Sequence, residues 1–592
     1  MTRTTHKRGG AFLLEATLPE EIFVPEMFTA EDRLIGKTAE QFLHDRVLPH
    51  TEAIERGDHA LVRQLMLQAG ELGLLAGDVP EVYGGLGLSH MVEALIAEKL
   101  NFQQSFALTH EVQTVLGALP LLYFGNHEQK SRYLPKIASG EWIAGFALSE
   151  ARSGSDVLGM QTRATPSSDG RHFILSGEKM WITNAGIADL FTVFARTGEK
   201  EFTALLVQRN SEGLSLGREE HKLGMHGTST RRVVFEEVKV PRENVFADGM
   251  GHHAAFCALN MGRFRLEAGA VGGLKQILAL CASYAKQRKT FGRPIGDYGL
   301  IRHKLAEMAA HIFALESMVY RLAGDLEEAF SGIVPDSEEA PTRYRAAAEE
   351  FALECCAVKV IGSEVYSYLA DEAIQLHGGY GYTEELPFAR AWRDQRLLRI
   401  GEGANELLRI AVVTQLMRRG QTGILPLWQA MAEAESANRP LVAPAEGKDA
   451  LATIADAADG AKRSALLLLR ELTQREEPWR EAQEIVAAIA DVIGAAYGLE
   501  SLYLRCLRCL KLTDRSAEPL LLSAQVAAIA YADTAYRAAN YAVASLGIGM
   551  PMSANRSLEK AMEALRLNAW NPMQLRRRLA EVVLEADGYP NV

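Results

Sequence analysis

Apolar residues recur at three- and four-residue spacing along "TAEDRLIGKTAEQFLHDRV" (29–47). That spacing predicts an amphipathic helix, and Thr29 followed by Asp32 supplies a capping start. The helical pattern runs to about residue 145, broken at 79–87 by the turn-rich "VPEVYGGLG". Between 146 and 245 the pattern changes: "LFTVFART", "FTALLVQR" and "RRVVFEEVKVP" are short, rich in Val, Phe and Thr, and separated by Gly, Ser and Asn. These are strand signals and predict a small β domain. Helical periodicity returns with "GHHAAFCALNMGRFRLEAGAVGGLKQILALCASYAKQR" and persists to about 420, with a charged, proline-bearing interruption at 326–342. The polar "ESANRPLVAPAEGKDA" then leads into a further Ala- and Leu-rich helical stretch. The expected organisation is an N-terminal arm (1–29), a helical domain (30–145), a β domain (146–250), a second helical domain (251–425), a linker (426–447) and a helical extension (448–592). The expected fold class is therefore mainly α with a central β domain.

Composition narrows the function classes. A chain of 592 residues exceeds what one core supports, and about two to four domains is the expectation. A net charge of −12 argues against nucleic acid as a partner, which calls for a clustered basic excess. The six cysteines lack framework spacing, which points to a reducing compartment. Cys506 and Cys509 form a C-x-x-C, but "YLRCLRCLKL" reads as helix interior with no second ligand pair nearby, so core packing is expected and no metal. The N-terminus lacks an apolar signal core, and no run reads as long enough for a membrane span. A cytoplasmic protein is expected, or one of the mitochondrial matrix or inner-membrane surface if the source is eukaryotic.

Six stretches matter together. "GFALSEARSGSD" (145–156) opens the β domain, "GEKMWITNAG" (177–186) lies within it, and "HKLGMHGTSTRRVVFEEVKVP" (221–241) closes it. "LNMGRFRLEAGA" (259–270), "YAKQRKTFGRPIGDYGLIRHKLAEMA" (284–309) and "IQLHGGYGYTEELPFARAWRDQRLLRIGEGANELLR" (374–409) belong to the second helical domain. In this order they resemble the acyl-CoA dehydrogenases, a flavoenzyme family, over about residues 30–420. "LNMGRF", "DYGLIRHKLAEM" and the long extension resemble its very-long-chain branch. The resemblance implies a helical N-terminal domain, a β-barrel-like middle domain and a four-helix-bundle domain, with the extension as an additional helical domain.

It also implies FAD as cofactor and assigns residues to it. Phe146, Leu148 and Ser149 would lie along the isoalloxazine, with Gly154 and Ser155 near flavin and pantetheine; a plain β-turn explains the Gly and Ser equally well. Trp181 would neighbour the ring and Thr183 would hydrogen-bond it, although a Trp on a strand is more often core. Arg288, Thr290 and Phe291 would meet the pyrophosphate and adenosine, usually those of a neighbouring subunit; arginine suits phosphate through its planar fork. Gln375, Leu376, Gly378 and Gly379 would bring backbone close to the cofactor, where a simple glycine helix cap is the alternative. Ala404 and Glu406 complete the cofactor set, and Ser155, Asn260, Arg263 and Gly403 the substrate set. Ala151 departs from the proline usual in the family, Gly401 from an aromatic residue, and Ala404 from a threonine that contacts flavin.

The implied reaction is α,β-dehydrogenation of a fatty acyl-CoA to the trans-2-enoyl thioester, the first step of β-oxidation. A base removes the α-proton while the β-hydrogen leaves as hydride to flavin N5. In the family a backbone N–H and a ribityl hydroxyl stabilise the thioester oxygen, and such a donor contributes about 3 kcal/mol. By resemblance the base is Glu402, which burial beside an acyl chain would raise in pKa. Some relatives carry the base just before the arginine of "NMGRF"; here that position is Gly262, which has no side chain to act. An ordinary first-turn acid favoured by the helix dipole is the plain alternative for Glu402.

Three functions compete. The first is a long- or very-long-chain dehydrogenase passing electrons to an electron-transfer flavoprotein, as a homodimer or tetramer. The second is an acyl-CoA oxidase using oxygen. The third is a respiratory-complex assembly or interaction protein of the same fold. The extension either packs, on a dimer partner, or lies on a membrane surface as a peripheral contact. "SALLLLRELTQREE" is poor in Lys and Arg for a membrane-surface helix, which favours packing.

Overall fold

The computed structural model describes residues 7–435, 440–443, 450–475, 478–512, 518–547 and 552–590. Part of the expected linker, residues 436–439 and 444–447, the first two residues of the expected extension, the first six of the arm, and residues 476–477 of "SALLLLRELTQREE" fall outside the described residues.

The N-terminal region is helical. Helix α1 (Ala30–Phe42) starts at Thr29, whose hydroxyl accepts from Asp32 N–H while Asp32 returns the bond to Thr29 N–H, the expected reciprocal cap. Helix α2 (His90–Leu100) and helix α3 (Gln104–Glu111) follow, and α3 runs on into a wider π turn over Val112–Gly117.

The β region forms one eight-stranded sheet in the order β6-β7-β3-β2-β4-β5-β8, with β1 added parallel to β4. Its strands are β1 (Ala144–Ala147), β2 (Arg163–Pro166), β3 (His172–Thr183), β4 (Leu190–Arg196), β5 (Phe202–Gln208), β6 (Leu214–Glu219), β7 (Thr230–Pro241) and β8 (Val245–Phe246). The path is open, ending at β6 and β8. β4 and β5 read as continuous apolar runs because both their faces are covered: every residue but the last of each is buried.

The second helical region is built on α4 (Gly251–Gln287), α5 (Gly299–Phe330), α6 (Ala352–His377) and α7 (Asn405–Gln421), packed as α4 on α5 and α6, and α6 on α7. The charged interruption expected at 326–342 is shorter than its composition suggested: α5 continues to Phe330, and the next helix starts at Ala340 with Pro341 in its first turn.

The extension contributes α8 (Ala450–Thr473), α9 (Gln483–Leu512), α10 (Glu518–Leu546) and α11 (Pro572–Glu585). Its packing partner is the chain's own bundle: α9, α10 and α11 all rest on α5, and α9 also meets α7. Helix α9 is long and apolar enough to cross a membrane, with a mean hydropathy of 1.6 over its best window, which corrects the expectation that no run qualifies. Yet 89% of that window is buried inside the protein. The leucines 466–469 of α8 are likewise all buried.

Buried charge fixes how the extension docks. Arg321 of α5 donates to Glu500 of α9 at 2.9 Å, and Lys462 of α8 donates to the same carboxylate at 2.5 Å. Arg505 of α9 bridges Glu26 of the arm and Glu316 of α5 at 2.7 Å each. Removing one partner of such a pair strands a charge in a dry interior, so these contacts specify a single docking register. Cys506 and Cys509 are buried in the same helix and their thiols are pushed up, Cys506 to about 12, by burial. They pack as core, as expected.

Candidate active site

Glu402 does not occupy the first turn of a helix. It lies three residues before α7, in a loop where Glu402 has φ +56° and Gly403 φ +104°. A non-glycine residue in the left-handed region costs on the order of 1–3 kcal/mol and persists only where its surroundings over-determine it. Two cations do so. Arg263 Nε donates to the Glu402 carbonyl at 2.8 Å, and Lys359 Nζ donates to the Gly403 carbonyl at 2.7 Å. The helix-dipole role belongs instead to Glu406, exposed in the first turn of α7.

The carboxyl of Glu402 is raised to about 7 by burial, opposed by the nearby Arg263 and Lys359 charges. Its Oε2 is buried and has no hydrogen-bond partner among the described residues. A Cβ placed on Gly262 would lie 3.1 Å from that oxygen, so the rival base position faces Glu402 directly across α4. The Glu402 N–H finds no acceptor among the described residues. Glu111, at the end of α3, is pushed well above the usual carboxylate range by burial and further by the Glu402 charge.

Asn260, expected in the substrate set, bonds within its own chain. It is buried, its Nδ2 donates to Ala348 O at 3.1 Å, and its Oδ1 accepts from Arg263 at 2.6 Å. Each end of the amide makes one hydrogen bond inside the protein, so Asn260 orients Arg263, as does Cys356 Sγ at 3.7 Å. Gly403 contributes its carbonyl to Lys359. Sequence reasoning missed Lys359, although a lysine inside the apolar run "CCAVKVIG" is itself a signal. Its pKa falls to about 8, chiefly through burial.

The β domain presents the other expected residues. Between Lys179 and Ile182 the β3–β7 register shifts, and Trp181 takes φ +57°. This bulge frees Met180 N–H to donate to Ser149 O at 2.8 Å and turns Trp181 outward, 55% exposed, beside the loop after β1. Phe146 and Leu148 are buried, Ser149 and Thr183 half-buried, and Gly154 and Ser155 exposed. A buried ion pair that sequence reasoning also missed anchors the loop. Lys179 Nζ donates to Glu150 at 2.8 Å and to Leu148 O at 2.9 Å, while Glu150 accepts from the N–H groups of Gln161 and Thr162.

Gln375 is exposed, Leu376 buried, and Gly378 (φ +60°) ends α6. A Cβ added at Gly378 or Gly379 would meet nothing within 4 Å, so bare backbone faces outward there. Arg288 is exposed, Thr290 half-buried, and Phe291 98% exposed on a small hairpin after α4. Ala404 caps α7 without a side-chain bond. Hydroxyls at 149, 155 and 183, an outward indole, open glycine backbone and a free guanidinium form a donor set that fits a flavin dinucleotide. Ser149 and Thr183 are half-buried, as is Glu402, whose Oε2 is buried.

Three family domains match the chain: the acyl-CoA dehydrogenase N-terminal domain over 29–141, the middle domain over 145–238 and the C-terminal domain over 249–417. A probable acyl-CoA dehydrogenase of Bacillus subtilis (strain 168) is 36% identical over 591 residues, 98% of each chain. The very long-chain specific mitochondrial enzyme of Rattus norvegicus is 35% identical over 64% of this chain and 57% of its own. The crystal structure of the Bacillus anthracis acyl-CoA dehydrogenase complexed with FAD superposes with a TM-score of 0.94 at 36% identity, covering 99% of this chain and all of that one. Butyryl-CoA dehydrogenase from Megasphaera elsdenii, 32% identical with a TM-score of 0.60, covers 66% of this chain and 99% of its own. The chain belongs to the acyl-CoA dehydrogenase family, FAD-dependent oxidoreductases acting on CH–CH bonds.

Proposed function

We propose that the protein dehydrogenates long- or very-long-chain acyl-CoA to the trans-2-enoyl thioester, with Glu402 as the base that takes the α-proton. The observation that carries this reading is the Glu402 carboxyl, its Oε2 buried and its pKa raised to about 7 by burial, on a loop fixed by Arg263 at the Glu402 carbonyl and Lys359 at the Gly403 carbonyl. A base poised near the working pH accepts a proton efficiently and returns it readily. The Glu402 N–H, without an acceptor among the described residues, would be available to donate to the thioester oxygen as negative charge builds there. FAD, when bound, supplies the hydride acceptor. Phe146, Leu148, Ser149, Trp181 and Thr183 would hold its ring side, and Gln375, Gly378 and Gly379 its far end.

Arg288 and Phe291 are exposed on the hairpin that carries Thr290, which supports a homodimer in which this segment reaches the neighbour's cofactor. The long-chain preference draws support from the very-long-chain relatives, and an electron-transfer flavoprotein is the proposed acceptor. The test is anaerobic bleaching of the flavin by acyl-CoA substrates of graded length. Fastest bleaching with the long chains is expected; a short-chain optimum removes the preference, and no bleaching by any acyl-CoA removes the activity. Turnover in air that releases stoichiometric hydrogen peroxide would identify an oxidase instead.

A further inference from the structure

The loop bearing Glu402 is tied to the C-terminal extension by an unbroken hydrogen-bonded chain. Lys359 Nζ, which grips the Gly403 carbonyl, also donates to Asn405 Oδ1 at 2.9 Å. Ser363, one turn further along α6, donates to the same oxygen at 3.3 Å. Asn405 is buried, opens α7, and its Nδ2 donates to Glu364 Oε1 at 3.1 Å. Glu364 in turn accepts both arms of the Arg409 guanidinium at 2.9 Å each. Arg409 lies four residues after Asn405, on the same face of α7. Its remaining Nε donates to Asp491 Oδ1 at 2.7 Å. Asp491 sits on α9, beyond the end of the C-terminal family domain at 417.

The relay from Lys359 through Asn405, Glu364 and Arg409 to Asp491 is made of charged groups and one primary amide, and Arg409 bonds through all three of its nitrogens in one geometry, so displacement at one end is transmitted as misalignment at the next. The receiving end is backbone in the left-handed region at Glu402 and Gly403, a conformation that relaxes when its supports loosen. The usual local support is missing, because Ala404 at the start of α7 offers no side-chain cap. We propose that Asp491 of the extension is a positioning residue for Glu402, acting through Arg409, Glu364, Asn405 and Lys359, so that the extension completes the catalytic loop. This rests on Glu402 being the base.

The test compares Asp491→Ala, Asp491→Asn and Arg409→Lys in the full-length holoenzyme, with Glu402→Gln alongside. For Asp491→Ala, the bleaching rate constant at saturating acyl-CoA is expected to fall about tenfold, the scale set by small misplacements of a reacting group. Affinity for acyl-CoA should stay within about twofold, and amide exchange at residues 403–405 should quicken. Asp491→Asn keeps an acceptor for Arg409 and should recover most of the rate. Arg409→Lys, which loses the fork, should reproduce the loss from the bundle side and keeps the test open if Asp491→Ala loses its flavin. Wild-type bleaching and exchange in both Asp491→Ala and Arg409→Lys, with Glu402→Gln inactive, would overturn the relay alone. Normal bleaching by Glu402→Gln would overturn the base assignment beneath it.

Discussion

Glu402 and Phe291 contrast in exposure and in how their segments are held. Glu402 is half-buried with its Oε2 covered, its pKa is raised by burial, and its loop is gripped by two cations of the same chain. Phe291, with Arg288 beside it, projects 98% exposed from a hairpin that touches little of its own chain. The supports of the Glu402 loop come from its own chain, whereas Arg288 and Phe291 are exposed. Proton abstraction and cofactor retention should therefore fail separately when mutated.

The largest effect should come from Glu402→Gln. Loss of a general base costs about 10²–10⁴-fold in rate, so stopped-flow bleaching should be nearly abolished while the bound flavin spectrum persists. The same variant carries a stability signature. Because the folded-state pKa of Glu402 lies above its ordinary 4.5, folding favours the protonated form. Wild type therefore loses stability relative to Glu402→Gln as pH rises from 4.5 to 7, by about 3 kcal/mol once fully ionised. Thermal melts at pH 4 and pH 8 read this difference directly.

Arg263→Ala comes next. It frees the Glu402 carbonyl and leaves Asn260 Oδ1 unpaired, and bleaching should slow about 100-fold with flavin content unchanged. Arg288→Ala probes the other extreme. Loss of a charged hydrogen bond, about 1.5–3 kcal/mol, should weaken FAD retention at least tenfold on dilution, read by flavin fluorescence. Bleaching with saturating FAD should stay normal; a comparable rate defect would erase the contrast between the two regions. The smallest effect is expected from Ala404→Ser, which adds a cap to α7 and should stabilise the fold by about 0.5–1 kcal/mol in denaturant unfolding.

The order of helical, β and helical regions was legible because periods of 3.6 and 2 alternate cleanly along the chain. Glu402 was legible through the long motif that contains it and through the side-chain-free Gly262 opposite. What the linear pattern hid is contact at long range. Lys359 meets Gly403 from 44 residues away and Lys179 meets Glu150 from 29, and no local spacing encodes either pairing. Asn260 was placed in the substrate set by its position in the family motif, and its bonds to Ala348 and Arg263 appear only in the folded chain. The docking of α9 was obscured for a related reason: its continuous apolar surface suits a membrane, a partner or a neighbouring helix equally well, and tertiary packing selects the last.

The most direct test of Glu402 as the base is the pH dependence of single-turnover bleaching at subsaturating acyl-CoA, in wild type and Glu402→Gln. The wild-type rate should rise with pH through an apparent pKa near 7 and level off above it, as the raised carboxyl ionises, while Glu402→Gln stays inactive throughout. A wild-type profile flat from pH 5 to 9, or substantial bleaching by Glu402→Gln at any pH, would contradict the assignment.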